Sequence, residues 1–156
     1  MAGLLDGIDA GRKNVVFGVA LFVLLGVVVG IPLTVDFFGG SILSAEQYRT
    51  WKVIHGYGIF LGFINYFVGL MIDRLTMTRR QRGITSWSFI LAAASGGFGR
   101  MSLALAGGLE AFGVYASLGE VLFITVGTFF FISAQLHTPR TADRVAPSSE
   151  ERRLAA

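Results

Sequence analysis

Four apolar runs, each on the order of 20 residues long, constrain the fold of this chain more than any other feature. They extend from about Asn14 to Val35, Val53 to Ile72, Trp87 to Gly108 and Val114 to Gln135, and Pro32 interrupts the first run near its end. A helix of about 20 residues spans the hydrocarbon core of a bilayer. We therefore predict an all-α integral membrane protein, in which residues 1–138 form a four-transmembrane-helix up-and-down bundle.

The composition supports the membrane class. Of the 156 residues, 53% are hydrophobic and 15% are charged, and no Cys is present to form a disulfide or a thiolate site. The net charge of +3 would suggest nucleic acid as the partner of a soluble protein. Here most basic residues flank the apolar runs, so we interpret them as topology signals and expect membrane lipid, not nucleic acid, around the chain. Residues 139–156 are polar and carry both charges, which predicts a disordered cytoplasmic tail.

The basic residues also predict an orientation. Ten lie on one side of the four runs, whereas Arg49 and Lys52 lie on the other. By the positive-inside rule the side with ten is cytoplasmic, and with it both termini. We expect a protein of the bacterial inner (plasma) membrane. The ten residues are Arg12, Lys13, Arg74, Arg79, Arg80, Arg82, Arg140, Arg144, Arg152 and Arg153.

Two charged residues, Arg100 and Glu120, lie inside apolar runs. A charge at the centre of a bilayer costs about 2.5–3.5 kcal/mol on insertion scales, so such residues have a partner or a function. The third and fourth runs are antiparallel neighbours, and both residues are predicted to meet in the outer half of the bundle. Two interpretations stay open: a structural ion pair, or a catalytic pair that orients or polarises a substrate. We expect the cytoplasmic half to hold almost no polar side chains.

His55 begins a second group of candidate residues. Helical spacing places Gly58, Gly62, Asn65 and Gly69 on the same face of the second helix. One interpretation is helix packing, because Gly58 with Gly62 forms a G-x-x-x-G pair, as Gly26 with Gly30 does on the first helix. The other is that the glycines leave room for a flat ligand, such as a haem, beside the imidazole.

The second histidine, His137, limits the haem hypothesis. It lies at the cytoplasmic end, roughly 30 Å from His55 in a normal bilayer. The two cannot ligate one haem within a monomer, so a haem iron held by His55 keeps an open position. Such an iron suits ligand binding or Lewis-acid chemistry better than electron transfer.

The segment from Gln47 to Gly56, continuing through Gly62, resembles the second helix of the small four-span membrane isomerases. These are the styrene oxide isomerases and their relatives, the hydroxylaminobenzene mutases. Trp51, His55 and Gly62 match the family pattern, and Glu120 matches its acidic residue early in the last helix. The family pattern has an Asn where this chain has Leu61, and Arg100 has no counterpart that we can match.

The resemblance implies a trimer that holds haem b through a His, which here is His55 as the metal ligand. In that family the ferric iron acts as a Lewis acid on an epoxide oxygen, and the opened ring rearranges to an aldehyde. The resulting site prediction comprises Arg100 and Glu120 as catalytic residues. It further comprises His55, Gly58 and Gly62 as cofactor-binding residues, and Asn65, Tyr66 and Tyr115 as substrate-binding residues.

Two functions therefore remain open. The first is an integral-membrane isomerase or mutase, a homo-oligomer that rearranges a small, largely apolar epoxide or hydroxylamine with haem b as Lewis acid. The alternative is a non-enzymatic small transporter or membrane-complex subunit that uses the pair Arg100 and Glu120.

Overall fold

The computed structural model describes residues 10–40, 42–99 and 110–137, which form four helices and, within these ranges, no strand. Helix α1 comprises an α-helical part Arg12–Leu21, a π-helical segment Phe22–Val28 and an α-helical part Val29–Phe37. Helix α2 is Ala45–Met71, extended by a 3-10 turn Ile72–Arg74. Helix α3 is Arg79–Ala93 with a π-helical segment Ala94–Phe98, and α4 is Glu110–His137. The proposed tail and the end of the third run lie outside the described residues.

Within the described ranges, three helical stretches are long and apolar enough to cross a bilayer: Arg12–Phe37, Ala45–Arg74 and Val114–His137. Helix α2 begins at a capping box, typical of a Ser followed three residues later by a Gln, in which Ser44 Oγ accepts from Gln47 N at 3.2 Å. The predicted interruption at Pro32 is wrong, because α1 continues to Phe37. The irregular hydrogen bonding lies one turn or more before Pro32, in the π-helical segment.

Helices α1 and α2 approach each other so closely that their backbones touch. A Cβ added to Gly18 would lie 2.6 Å from the carbonyl oxygen of Gly62, and one added to Gly69 would lie 2.7 Å from that of Gly11. Any other residue at these positions would push the helices apart. Packing between the two helices therefore accounts for much of the glycine stripe on α2.

A buried group of polar side chains, which we call the polar seam, joins α1, α2 and α3. Asn14 Nδ2 donates to Asn65 Oδ1 at 3.1 Å and to the Ser86 carbonyl at 3.0 Å. Asn65 Nδ2 in turn donates to the carbonyls of Leu61 and Phe89, both at 3.1 Å. Ser86 Oγ closes the group by donating to Asn14 Oδ1.

The polar seam corrects one expectation. It lies in the half of the bundle that carries Arg12, Arg79 and Arg82, which we call the Arg-rich half. That half was expected to hold almost no polar side chains, yet Asn14, Asn65 and Ser86 are each 0% exposed. Interhelical hydrogen bonds of this kind hold membrane helices together where lipid offers no hydrophobic driving force.

At the Arg-rich end, Asp73 ties the start of α1 to the end of α2. Its carboxylate accepts from the backbone N–H groups of Ala10 at 3.2 Å and Gly11 at 2.9 Å. These donors immediately precede the first turn of α1, and a negative charge is favourable at the N-terminus of a helix. Arg82 of α3 lies 3.8 Å from the same carboxylate, so three helices converge on Asp73.

Replacing Asn65 with Ala should lower the free energy of unfolding by about 1–3 kcal/mol, because it removes the acceptor of the Asn14 amide at a buried position. The effect is measurable as a lower Tm of the detergent-solubilised protein. The variant with both Asn14→Ala and Asn65→Ala should lose less stability than the sum of the single losses, since the two share hydrogen bonds. Thr50→Ala, which removes only an exposed bond to Glu46, is the control. Additive losses at the two asparagines would contradict the shared network.

Candidate functional site

His55 lies half-buried on α2, with its ring directed at α1. Its Nδ1 is 3.3 Å from the carbonyl oxygen of Leu25. The ring also lies against Gly30, where an added Cβ would be 2.9 Å from Cε1 and 3.2 Å from Nδ1. A carbonyl oxygen only accepts, so this contact requires the proton on Nδ1 and leaves the lone pair of a neutral imidazole on Nε2.

The π-helical segment of α1 explains why the Leu25 carbonyl is available. In a regular α-helix the N–H of Val29 would bond to Leu25. Here Val29 N–H bonds to the carbonyls of Leu24 and Gly26. The Leu25 carbonyl therefore lacks its usual α-helical donor, and the imidazole lies within hydrogen-bond distance of it. Single-turn π-helical segments are frequent at functional sites.

Leu25 itself is held firmly from two sides. It is 0% exposed, and an added Cβ on Gly58 of α2 would overlap its Cβ. On the other side, an added Cβ on Gly97 of α3 would lie 3.2 Å from its Cδ1. Gly58, a predicted cofactor-binding residue, thus packs directly against Leu25 in this structure.

A groove of about 190 Å³ follows the outer side of α1 and α2, on the Arg-rich side of His55. It is lined almost entirely by apolar atoms, from Gly18, Val19, Phe22, Gly62, Phe63 and Tyr66. Phe22 and Phe63 meet edge to face with their ring centroids 5.7 Å apart. The groove brings the predicted residues Gly62 and Tyr66 together on one apolar surface.

Glu120 lies on α4 against the π-helical segment of α3. It is only 9% exposed, and an added Cβ on Gly96 would lie 2.5–2.8 Å from its carboxyl atoms. Gly96 therefore provides the space that the carboxyl group occupies. Arg100, its predicted partner, lies outside the described residues, so the predicted pair stays a prediction.

The structure separates the remaining predicted residues. Asn65 is fully buried in the polar seam, where its side-chain amide is used for packing between helices. Tyr115 is 72% exposed on α4, away from the groove between α1 and α2. The roles of Asn65 and Tyr115 in substrate binding stay predictions.

Sequence reasoning missed three parts of this site: the Leu25 carbonyl, Gly30 beneath His55, and Gly96 beneath Glu120. The Gly26 and Gly30 pair was a signal, although it was interpreted only as helix packing. The adjacent glycines Gly96 and Gly97 were a second signal, because paired glycines in an apolar run indicate a close approach by another element.

His55 could serve as the single protein ligand of a metal centre. Within the described ranges no three His, Asp or Glu side chains come close enough to bind an ion together. A haem iron already has four porphyrin nitrogens and needs one axial imidazole from the protein. The Nε2 of His55 suits that role, because a ligating His commonly donates its other N–H to a backbone carbonyl.

Comparison with known proteins gives one family. The model of the family described as styrene oxide isomerase matches residues 11–138. No curated protein matches the chain. No solved structure matches it either.

Two glycine substitutions on α3 should have opposite effects. In Gly96→Ala the new methyl group meets the mobile end of the Glu120 side chain, so the carboxyl group should move while the Tm stays near that of the wild type. In Gly99→Ala the methyl group meets the Cβ of Ala116 at 2.6 Å, and overpacking should cost about 1–3 kcal/mol. Thermal unfolding measures the stability. The infrared carboxyl band that Glu120→Gln removes reports the environment of Glu120, and an unshifted band in Gly96→Ala would refute the predicted displacement.

Proposed function

The chain belongs to the styrene oxide isomerase family, and from this premise we propose that it rearranges a small, largely apolar epoxide or hydroxylamine within the membrane. The family match covers every described helix. Three apolar helices of membrane-spanning length support a substrate that partitions into lipid. The observation that most supports a site on this chain is the His55 imidazole, whose Nδ1 faces the Leu25 carbonyl.

Our proposal includes haem b, which Nε2 of His55 would ligate, with the groove beside α1 and α2 as part of its apolar surroundings. When bound, haem b supplies a ferric Lewis acid for the oxygen of the substrate. His55 would hold the group, and Gly30 leaves the space that the imidazole ring of His55 needs. Gly62 and Tyr66 line the groove on the Arg-rich side of His55.

The apolar walls have a chemical role of their own. Isomerisation keeps all atoms of an epoxide, whereas attack by water on the opened ring would give a diol. Phe22 and Phe63 line the groove with apolar rings, and such surroundings exclude water from the reacting centre. This dry environment favours rearrangement over hydrolysis.

Glu120 is the polar group that we assign to substrate orientation, together with Arg100. In the family pattern an Asn occupies the position of Leu61, but Leu61 is 1% exposed and lies in the apolar core with Leu21 and Leu25. A polar contact to the substrate must therefore come from elsewhere on this chain. Glu120 supports this assignment because it is an ionisable residue inside an apolar helix.

We also propose a homo-oligomer, a trimer as the family resemblance implies. His55 is only half-buried, and Phe63 beside the groove is 49% exposed. A flat cofactor has two faces. The surface of α1 and α2 that carries the groove would cover one of these faces. A second copy, surrounded by membrane lipid, would cover the other.

The visible spectrum of the detergent-purified protein tests the cofactor. The wild-type protein should show a Soret band, and His55→Ala should lose most of it because the axial ligand is gone. His137→Ala is the matched control and should keep the band. A wild-type protein expressed with sufficient haem that shows no Soret band would refute the haem proposal.

Turnover of styrene oxide to its isomeric aldehyde, followed by gas chromatography, tests the reaction. Glu120→Gln should fold normally and lower turnover by about 10²–10³, the range for removing one polar group from a preorganised site. Unchanged turnover in Glu120→Gln would leave Glu120 a structural role only. If several epoxides and aryl hydroxylamines are all unreacted and Glu120→Gln abolishes pH-dependent ligand binding, the transporter alternative holds.

A further inference from the structure

The π-helical segment of α1 does more than pack against α2, because it presents one backbone carbonyl to the proposed haem ligand. We infer that the Leu25 carbonyl is the positioning group of His55, which fixes the proton on Nδ1 and keeps Nε2 free and directed for iron. This inference deepens the proposed function and rests on it for the identity of the ligand bound at Nε2.

The first support is the local hydrogen bonding. The N–H of Val29, the usual α-helical donor to Leu25, bonds to Leu24 and Gly26 instead, and the Nδ1 of His55 lies 3.3 Å from the Leu25 oxygen. A carbonyl that accepts from the ring both fixes the tautomer and makes the imidazole a stronger donor to a metal. Loss of such a partner typically weakens metal binding by roughly 10–100-fold.

The second support is that this acceptor cannot move easily. Leu25 is 0% exposed and packs between Gly58 and Gly97. Close packing of this kind has few alternative arrangements. The carbonyl is therefore held in place by contacts with α2 and α3 as well as by its own helix.

The third support is the absence of a side chain at Gly30. The atoms nearest to an added Cβ at this position all belong to the His55 ring, at 2.9, 3.2 and 3.9 Å. A substitution here should displace the imidazole without forcing the backbones of α1 and α2 apart. Gly30 thus offers a way to disturb the hydrogen bond while the fold is kept.

The tautomer can be measured without haem. The chain has only two histidines, so ¹⁵N-histidine labelling gives two sets of ring signals, and His137→Gln identifies those of His55. Long-range proton–nitrogen correlation of the haem-free protein, at a pH where His55 is neutral, should show Nδ1 protonated and Nε2 unprotonated. Gly30→Ala should lose this single tautomer. A wild-type His55 with the proton on Nε2 would overturn the inference.

Haem retention gives the second readout. Transfer of haem to excess apomyoglobin should be roughly 10–100-fold faster from Gly30→Ala than from the wild type, because the axial ligand has lost its partner. The iron–histidine stretching frequency of the ferrous protein should also fall. Gly56→Ala is the matched control, since its added Cβ meets nothing within 4 Å.

The outcomes of these experiments distinguish the role of the Leu25 carbonyl from the haem proposal itself. Equal haem transfer from Gly30→Ala and Gly56→Ala, with haem bound through His55 in both, overturns the inference and leaves the proposed function intact. No haem in the wild-type protein overturns the cofactor proposal, and the tautomer measurement then still decides the role of Leu25. Gly58→Ala is a further check, because its added methyl group would press on Leu25. A folded Gly58→Ala protein should show the same His55 tautomer signals and the same haem transfer rate as Gly30→Ala.

Discussion

The close contact between α1 and α2 is the constraint on which the rest of the structure depends. Lipid tails are as apolar as the side chains of the helices, so association in a bilayer relies on close packing and interhelical hydrogen bonds. Gly18 and Gly62 let the two backbones touch, and the polar seam adds directional bonds through Asn14 and Asn65. Together the glycine contacts and these hydrogen bonds fix the axial register between α1 and α2. That register places Leu25 and Gly30 beside His55.

The π-helical segment follows from the same contact. Gly18 meets α2 before the segment and Gly30 meets it after the segment. Each residue of an α-helix turns about 100° around the axis, so one extra residue in a turn changes the face that all later residues present. The segment Phe22–Val28 thereby keeps both ends of α1 against one partner. The same segment also presents the carbonyl of Leu25 to the imidazole of His55.

Features that depend on local sequence were predictable, and those that depend on contacts between helices were not. The capping box at Ser44 follows from its spacing, the helical nature of the four runs, as far as they are described, follows from hydropathy, and the family match confirmed the resemblance. Pro32 was expected to interrupt α1, but it lacks only one hydrogen bond and the helix continues. The π-helical segments and the polar seam have no local signature, because Asn14 becomes buried only when α2 and α3 pack against it.

Leu25 also connects two groups that the sequence presented as separate. Its carbonyl faces His55, and its side chain reaches Gly97, which is adjacent to the Gly96 that accommodates the Glu120 carboxyl group. The imidazole on α2 and the carboxyl group on α4 therefore belong to one continuous packed region. Since Leu61 lies in the apolar core with Leu21 and Leu25, the polar groups of this region are the imidazole on α2 and the carboxyl group on α4. This arrangement supports our proposal that the polar contact to the substrate comes from Glu120.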